Sequence, residues 1–232
     1  MILIVSDQDY YDKSLILIKS IRLLYPDLKI HYHQINFKLD LKIDNIEYSY
    51  NNLELDNNKK FKYNNIQYTQ KQAYCANIRF QIINNLISEN QYILYLDADS
   101  IIRKPIDSLL QLCQNYDLVI NKCTKKSYYR KGFRLRTGVF SIRNTPIMKK
   151  FLNNILQNIK LEQWFSDQDT IQDTFIEYVD DISFKILEQK YIDWNYNQES
   201  EIWVGKGDNK YKNLQYKQLE NYINTLYENI IN

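Results

Sequence analysis

The sequence predicts a protein of the α/β class with parallel strand pairing, and its opening segment carries three observations for this. Residues 1–5 are a continuous apolar run of the kind that forms a buried strand. Residues 11–25 repeat apolar side chains at helical spacing, and Pro26-Asp27 closes that helix. Residues 28–35 then return as a second strand. A strand, a helix and a strand in this order predict two parallel neighbours in one sheet.

The remaining elements follow from the same patterns of periodicity and turn residues. Residues 38–62 are polar and Asn-rich, which is typical of a loop with weak strand segments. Downstream, helices are predicted at 70–86, 107–114 and 145–159, strands at 92–96, 116–121 and 133–142, and further helices from 167 to 174 and from 212 onwards. Pro146 stands near the first turn of its helix, which is a favoured place for proline.

Length and composition set the scale of the protein. A chain of 232 residues, 44% of them hydrophobic, can bury a sizeable core. We expect residues 1–232 to form a single domain in which 212–232 is a C-terminal helix. No apolar run is long enough to cross a membrane, and Met1-Ile2-Leu3-Ile4-Val5 lacks the basic region of a signal peptide. These features predict a cytoplasmic protein with no integral membrane segment.

Charge and cysteine content narrow the class further. The net charge is +2 with acids and bases nearly balanced, which argues against a nucleic-acid partner. Three unevenly spaced cysteines, Cys75, Cys113 and Cys123, predict free thiols in a reducing compartment. No Cys/His cluster indicates a zinc site.

The most informative segment is the apolar run 92–96, which ends in Asp97-Ala98-Asp99. Residues i and i+2 of an extended chain point to the same side, so Asp97 and Asp99 are expected to converge. Two close carboxylates repel unless a cation lies between them, and their hard oxygens suit Mg²⁺ or Mn²⁺. Mg²⁺ commonly completes its shell with water and substrate phosphates, which favours a nucleotide or nucleotide-sugar ligand. The alternative is a plain turn in which one aspartate caps the next segment.

This segment, followed by Ile101, Ile102 and Pro105, resembles the Asp-x-Asp segment of GT-A glycosyltransferases. It is most similar to the retaining group that includes glycosyltransferase family eight, and other short segments match in the same order up to about residue 210. The resemblance implies a GT-A (Rossmann-like) fold with a central mixed sheet flanked by helices. It also implies a metal-dependent enzyme that moves a hexose from a UDP-sugar, or another nucleotide-sugar, to a hydroxyl of a glycan, protein or small molecule.

The end of the first strand is the predicted nucleotide site. Polar residues from Ser6 onwards lie where ligands bind in open α/β sheets. Asp7 and Tyr10 supply a polar group and an aromatic face for a base, and the resemblance implies that they hold the uracil and ribose. An equally good alternative is that Asp7 or Asp9 caps the following helix.

Arg79 lies in the predicted helix that precedes the two aspartates. The resemblance implies an arginine near the nucleotide and the aspartates, where a guanidinium can bind carboxylate or phosphate in a bidentate way. The alternative is an ordinary solvated arginine on a helix surface.

The strand at 133–142 carries Arg136-Thr137-Gly138-Val139, which resembles the family segment that borders the donor sugar and acceptor. Thr137 and Gly138 would then contact the sugar, with glycine permitting close backbone approach. The alternative for Gly138 is a β-bulge. Residues 126–136 are basic, and are either a lid over the diphosphate or a charged surface loop.

Asp167-Gln168-Asp169 resembles the family's Asp-Gln-Asp segment at a helix start. The resemblance implies that Asp167 binds donor-sugar hydroxyls and that Gln168 lies beneath the anomeric carbon. Because a carboxamide is neutral and weakly basic, we expect stabilisation of the leaving group rather than a conventional covalent intermediate. Simple capping of the helix is the alternative.

The C-terminal segment 202–208 resembles the family's His-x-x-Gly-x-x-Lys segment, but it lacks the histidine that completes the metal shell. Ile202 or Val204 occupies that position, depending on the register. Asp208 or water would then supply the third ligand beside Asp97 and Asp99. Gly205 and Lys206 are expected to contact the diphosphate.

The predicted activity is therefore that of a glycosyltransferase with Mn²⁺ or Mg²⁺ as cofactor and Asp99, Asp167 and Gln168 as its catalytic residues. Retention of configuration is implied by the resemblance alone. Two other classes stay open. A nucleotidyltransferase uses a similar sheet and paired aspartates, although no Gly-rich, basic loop follows the first strand here. A non-catalytic nucleotide- or glycan-binding module would explain the missing histidine.

Overall fold

The computed structural model describes residues 1–39, 43–56, 60–63, 66–123, 133–204 and 212–231. Its centre is a mixed seven-stranded sheet. The strands of this sheet are β1 (Ile2–Asp7), β2 (Ile30–Ile35), β3 (Ile46–Asn51), β6 (Tyr92–Leu96), β8 (Leu118–Cys123), β9 (Arg134–Arg143) and β10 (Phe184–Ile186). Their order is β10-β8-β9-β6-β1-β2-β3, in which β9 runs antiparallel to both β6 and β8, whereas β1 is parallel to β2 and β6. The mixed sheet predicted from the sequence is confirmed.

Two small ribbons stand beside the main sheet. One is the antiparallel hairpin of β4 (Lys60–Tyr63) and β5 (Ile66–Thr69), which begins at the end of the segment 38–62. That segment was expected to be loop with weak strands, and it also contains β3 of the main sheet. The other joins β7 (Ile101–Ile102) to β11 (Ile202–Trp203). This second ribbon brings Ile202 and Trp203, the first residues of the predicted C-terminal segment, next to the chain that follows Asp99.

Helices cover both faces of the sheet, and their apolar sides form two cores. The helices are α1 (Tyr11–Leu24), α2 (Gln70–Asn77), α3 (Arg79–Leu86), α4 (Asp107–Asn115), α5 (Pro146–Asn158), α6 (Ser166–Tyr178) and α7 (Leu214–Ile231). The core on one face includes Phe80 of α3, Phe151 of α5 and Ile171 of α6. The other includes Leu17 of α1 and Leu109 of α4. A third cluster seats α7 on α1 and on Trp203.

One predicted helix is interrupted. Residues 70–86 form α2 and α3, with a break at Ile78, rather than one helix. The Arg79 side chain folds back so that its Nε donates to the Ala76 carbonyl, an acceptor that a continuous helix would use within its own backbone. The break therefore coincides with a side chain that is directed towards the predicted site.

Other sequence predictions can be checked directly. Among the described helices none is long and apolar enough to cross a membrane. All three cysteines are free thiols, as predicted. His31 and His33 lie on β2, are buried, and both hydrogen-bond the Ser49 hydroxyl, so they are strand residues as expected. Burial lowers the pKa of His33 to about 4.

Candidate active site

The candidate site lies at the carboxyl edge of β1 and β6, where open α/β sheets bind ligands. β9 pairs with β6 only up to Leu96–Val139, so its first residues, 134–138, project beyond the end of β6. β8 accompanies this projection through Asn121–Arg136 and Cys123–Arg134 pairs. The β8–β9 ribbon therefore forms a wall beside the two aspartates.

The Asp97–Asp99 segment is a turn. β6 ends at Leu96, and the Ser100 amide donates to the Asp97 carbonyl at 2.9 Å. The expectation of an extended backbone through both aspartates was wrong, because the chain turns as soon as the strand leaves its neighbours. The structure has the turn named in the alternative, and a cation shared by the two carboxylates stays a prediction.

Arg79 is not a solvated surface residue, because it is buried with only 6% of its surface exposed. Its Nη1 lies 3.2 Å from Asp97 Oδ1 and donates to the Thr137 carbonyl at 2.6 Å. Burial alone would lower the pKa of Arg79, but Tyr95 and Asp97 raise it above its usual value. The guanidinium therefore stays charged and joins β6 to β9 behind the aspartates.

Gly138 leaves room for the carboxylate of its neighbour Asp97. A Cβ at this position would lie 2.7 Å from Asp97 Oδ2, and the Gly138 carbonyl accepts from the Asp97 amide at 2.8 Å. The register between β8 and β9 also shifts at this level, as the bulge alternative predicted. The close approach that glycine permits in the structure is to a carboxylate of this chain, and a contact with sugar stays a prediction.

Asp167 lies in the first turn of α6 and is 2% exposed. Its Oδ2 accepts a hydrogen bond from the Thr137 hydroxyl, and its backbone amide donates to Asn77 Oδ1 at 2.8 Å. Its Oδ1 is buried without a hydrogen-bond partner among the described residues. A buried carboxylate oxygen of this kind is uncommon and needs a partner, such as a bound hydroxyl.

Asn77 is a site residue that sequence reasoning missed. It is completely buried, and its Nδ2 reaches the carbonyls of Lys160, Leu161 and Gln163 at 2.8–3.0 Å. Together with the bond to the Asp167 amide, these contacts fix the chain that enters α6. In the sequence Asn77 is one asparagine in an Asn-rich helix, so nothing local marks it.

Phe165 has a left-handed backbone, with φ of 65°, immediately before α6. A bulky residue in this region is strained, and such strain collects at functional sites. The guanidinium of Arg134 lies 4.4 Å from the Phe165 ring and pairs with Asp169 at 2.7 Å. The first turn of α6 is thus held on the β9 wall from two sides, and Gln168 is half-buried within it.

The end of β1 has a different character. Asp7 Oδ1 accepts from the Tyr10 amide at 3.1 Å, so Asp7 caps the short 3₁₀ turn Gln8–Tyr10 as the alternative predicted. Lys71, which the sequence did not mark, lies 2.9 Å from Asp7 Oδ2 and 2.7 Å from Asp9. Tyr10 is 38% exposed. The cap uses only Oδ1 of Asp7, and Oδ2 lies beside Lys71. The role of Asp7 towards a base stays a prediction.

Two further predicted residues are buried close by. Ser6 shares a hydrogen bond of 2.7 Å with the Tyr32 hydroxyl, which also bonds Ser14. Ala98 packs into the core on the α1 side. Their side chains support the site from within, which leaves only their backbone groups for ligand contact.

Asp99 is half-buried. Burial raises the pKa of Tyr216 on α7, and the charges of Glu220 and then Asp99 raise it further. Within the described residues, no group of three Asp, Glu, His or Cys side chains is placed to hold a metal ion. Ile202 and Val204 are buried in the core, so neither register of the missing histidine offers a substitute. Gly205, Lys206 and Asp208 lie outside the described residues, as does most of the basic segment 126–136.

No family model and no curated protein matches this sequence. Solved structures of glycosyltransferases do match its fold. The galactosyltransferase LgtC, in complex with donor and acceptor sugar analogs, superposes with a TM-score of 0.59 at 15% identity over 95% of each chain. The bifunctional glycosyltransferase WbbM gives 0.62 at 12% identity over 96% of this chain and 49% of its own. GlyE of Streptococcus pneumoniae gives 0.57 at 14% identity over 94% and 60%.

These likenesses establish the fold. The chain has the GT-A glycosyltransferase fold, as the resemblance in sequence predicted, and the described segments around Asp7, Asp97, Thr137 and Asp167 lie at one edge of its sheet.

Proposed function

We propose that this protein is a metal-dependent glycosyltransferase that moves a hexose from a nucleotide-sugar, most simply a UDP-sugar, to an acceptor hydroxyl. The observation that carries the proposal is the buried network of Arg79, Asp97, Thr137 and Asp167 at the carboxyl edge of the sheet. It joins α3, β6, β9 and α6 in the GT-A fold. Within this network Asp167 Oδ1 is buried without a hydrogen-bond partner among the described residues, which is uncommon for a carboxylate oxygen.

Asp167 is proposed to orient the donor sugar. Thr137 and Asn77 hold its carboxylate and backbone, and Oδ1 is buried without a partner among the described residues, so a sugar hydroxyl would reach it once the residues that cover it move aside. Pre-positioned groups of this kind lower the entropy cost of bringing reactants together. Gln168, next on the same turn, is proposed to lie beside the reacting carbon, where its neutral amide orients rather than attacks.

Asp97 and Asp99 are the residues proposed to hold Mn²⁺ or Mg²⁺. Their oxygens fit such ions, which take one or two protein carboxylates and complete their shell with water and phosphate. The absence of a third described ligand is compatible with this donor set. When bound, the ion would neutralise the departing diphosphate. Asp208 and Lys206 remain proposed partners, as third ligand and diphosphate contact.

The rest of the crevice is assigned by its order along the sheet edge. The base and ribose are proposed to lie at the end of β1 with Asp7, Tyr10 and backbone groups of Ser6. The diphosphate then lies over β6, and the sugar over β9 beside Thr137 and Gly138. Arg79 is proposed to support the site indirectly, because its guanidinium already binds Asp97 and the Thr137 carbonyl. Retention of configuration is part of the proposal.

Donor hydrolysis tests this proposal. UDP-, GDP-, TDP- and CMP-sugars are incubated with wild type, Asp99→Asn and Asp167→Asn, with Mn²⁺ and with chelator. We expect metal-dependent release of one nucleotide, and a loss of about 10²-fold or more in each variant, since charge and orientation act on the transition state. Asp180→Asn, an exposed change far from the crevice, is the matched control and keeps wild-type turnover.

Thermal unfolding of each variant separates loss of activity from loss of fold. Wild-type rates in Asp99→Asn and Asp167→Asn would overturn the proposal. A wild type that binds UDP but turns over no donor, with or without acceptors, would instead make the protein a binding module.

A further inference from the structure

Arg136 is a cation on the crevice wall whose charge the proposed function does not use. It belongs to the part of β9 that projects beyond Leu96, and it pairs with Asn121 of β8. The next residue, Thr137, binds Asp167. Arg136 is therefore the strand neighbour of the residue that contacts Asp167, the proposed sugar-orienting group.

The guanidinium of Arg136 has no carboxylate within ion-pair distance in the described part of the chain. Two other arginines of this region are paired, since Arg79 contacts Asp97 and Arg134 contacts Asp169. Arg136 instead lies with its guanidinium 3.8 Å from the centre of the Trp194 ring. Stacking on an aromatic face orients the guanidinium and leaves its N–H groups at the edge, where they match a carboxylate or phosphate.

The Trp194 side chain is partly buried against the core on the α1 side, and hydrogen bonds hold the chain next to it. Its neighbour Asp193 is completely buried, and accepts from the amides of Asn195 and Asn197 at 2.9 and 2.6 Å. The Asp193 amide donates to the Ile202 carbonyl of β11 at 3.1 Å. A rigid ring and a stacked cation form a recognition element that is ready before a ligand arrives, which lowers the cost of binding.

The position of Arg136 along the sheet edge points to the sugar. In the order β8-β9-β6-β1, the proposed base end lies at β1 and β9 lies two strands away, a separation of about 10 Å. The diphosphate is proposed to lie over β6, between the two. A cation on β9 is therefore placed at the sugar end of a bound nucleotide-sugar rather than at its base.

We propose that Arg136, stacked on Trp194, binds an anionic group on a sugar at the transfer site, so that the donor or the acceptor is an acidic sugar. The shared chemistry is a carboxylate, as in a uronic acid, held by the guanidinium edge. This inference rests on the proposed function and adds a substrate class to it. The anion would come either from the transferred sugar or from the acceptor.

Pairs of sugars that differ only at carbon six test the idea. The first arm compares hydrolysis of UDP-glucose with UDP-glucuronate, and of UDP-galactose with UDP-galacturonate. The second arm fixes the best donor and compares neutral acceptors with their uronate counterparts. Wild type, Arg136→Met and Arg136→Lys are measured, with Arg143→Met, at the other end of β9, as the control.

We expect wild type to prefer the acidic member in one arm by about 10-fold or more in kcat/KM, the size of one charge-assisted bond. Arg136→Met should bring that ratio close to one, Arg136→Lys should retain part of it, and Arg143→Met should leave it unchanged. UDP affinity, measured by calorimetry, should stay within about two-fold in every variant.

Two results would overturn the inference. One is equal use of acidic and neutral sugars by wild type in both arms. The other is an Arg136→Met variant that loses affinity for UDP itself, which would make Arg136 a diphosphate contact. Failure of the proposed function has a different signature, because wild type would then bind and hydrolyse no nucleotide-sugar at all.

Discussion

The two ends of the crevice differ in how their charged groups are held. At the β9 end, Asp167 is 2% exposed and Arg79 6%, and both are bound to other parts of the sheet. At the β1 end Asp7 is buried as well, but Asp9 has a side chain that is 75% exposed and Tyr10 is 38% exposed. Buried groups are fixed at folding, whereas exposed groups can rearrange around a ligand. The β9 end thus suits the positioning of a reacting sugar, and the β1 end suits recognition of a base.

One basic residue at each end, Arg79 and Lys71, shows the same difference. Arg79 joins a buried network in which each bond restrains another, so losing it affects three elements. Lys71 links Asp7, whose side chain is 10% exposed, to Asp9, whose side chain is 75% exposed, so water can replace the contact to Asp9 at small cost. Substitutions at the two ends should therefore differ in stability more than in binding.

Arg79→Met should have the largest effect. It removes the cation beside Asp97 and leaves the Thr137 carbonyl without its donor, so we expect a loss of about 3–4 kcal/mol in the free energy of unfolding. Urea denaturation monitored by fluorescence measures it. Arg22→Met, which removes a buried arginine bonded to backbone carbonyls away from the crevice, is the comparison. A change below 1 kcal/mol for Arg79→Met would mean that the network does not hold the β9 end together.

Gly138→Ala should have an intermediate effect. The new methyl group would lie 2.7 Å from Asp97 Oδ2, so the Asp97 carboxylate must move, at a cost of about 2 kcal/mol. Metal-dependent turnover should fall together with stability, because the same carboxylate is displaced. Wild-type turnover with full stability would show that Asp97 has room that the structure does not indicate.

Lys71→Met should have the smallest effect on folding. Loss of its contacts to Asp7 and Asp9 should cost about 1 kcal/mol, since Asp9 is largely solvated and the Tyr10 amide still binds Asp7. Nucleotide affinity, measured by calorimetry, should change more than stability does. A destabilisation as large as that of Arg79→Met would erase the contrast between the two ends.

Much of the fold was predictable because it is written in local patterns. The apolar runs of β1 and β6 and the spacing in α1 are read within a few residues of chain, and each was found where expected. The placement of Arg79 near Asp97 followed from the resemblance. The turn after Leu96 was predicted only as an alternative to an extended backbone. An extended backbone holds only while a strand keeps its neighbours.

The parts of the site that were missed depend on distant contacts. Asn77 accepts a hydrogen bond from the Asp167 amide, 90 positions further along the sequence, and it is the last residue of α2, just before the break. Lys71 forms its ion pair with Asp7 across 64 positions of sequence. The left-handed backbone of Phe165 is imposed by packing, because nothing in a phenylalanine favours it.

The central claim is that this edge of the sheet binds a nucleotide through a metal held by the two aspartates. Calorimetric titration of UDP into wild type, with Mn²⁺ and with chelator, tests it most directly. The account predicts saturable binding with Mn²⁺ that weakens at least 10-fold with chelator and with Asp99→Asn, one power of ten being 1.4 kcal/mol. Binding of equal strength with and without metal, or none at all for any nucleoside diphosphate, would contradict it.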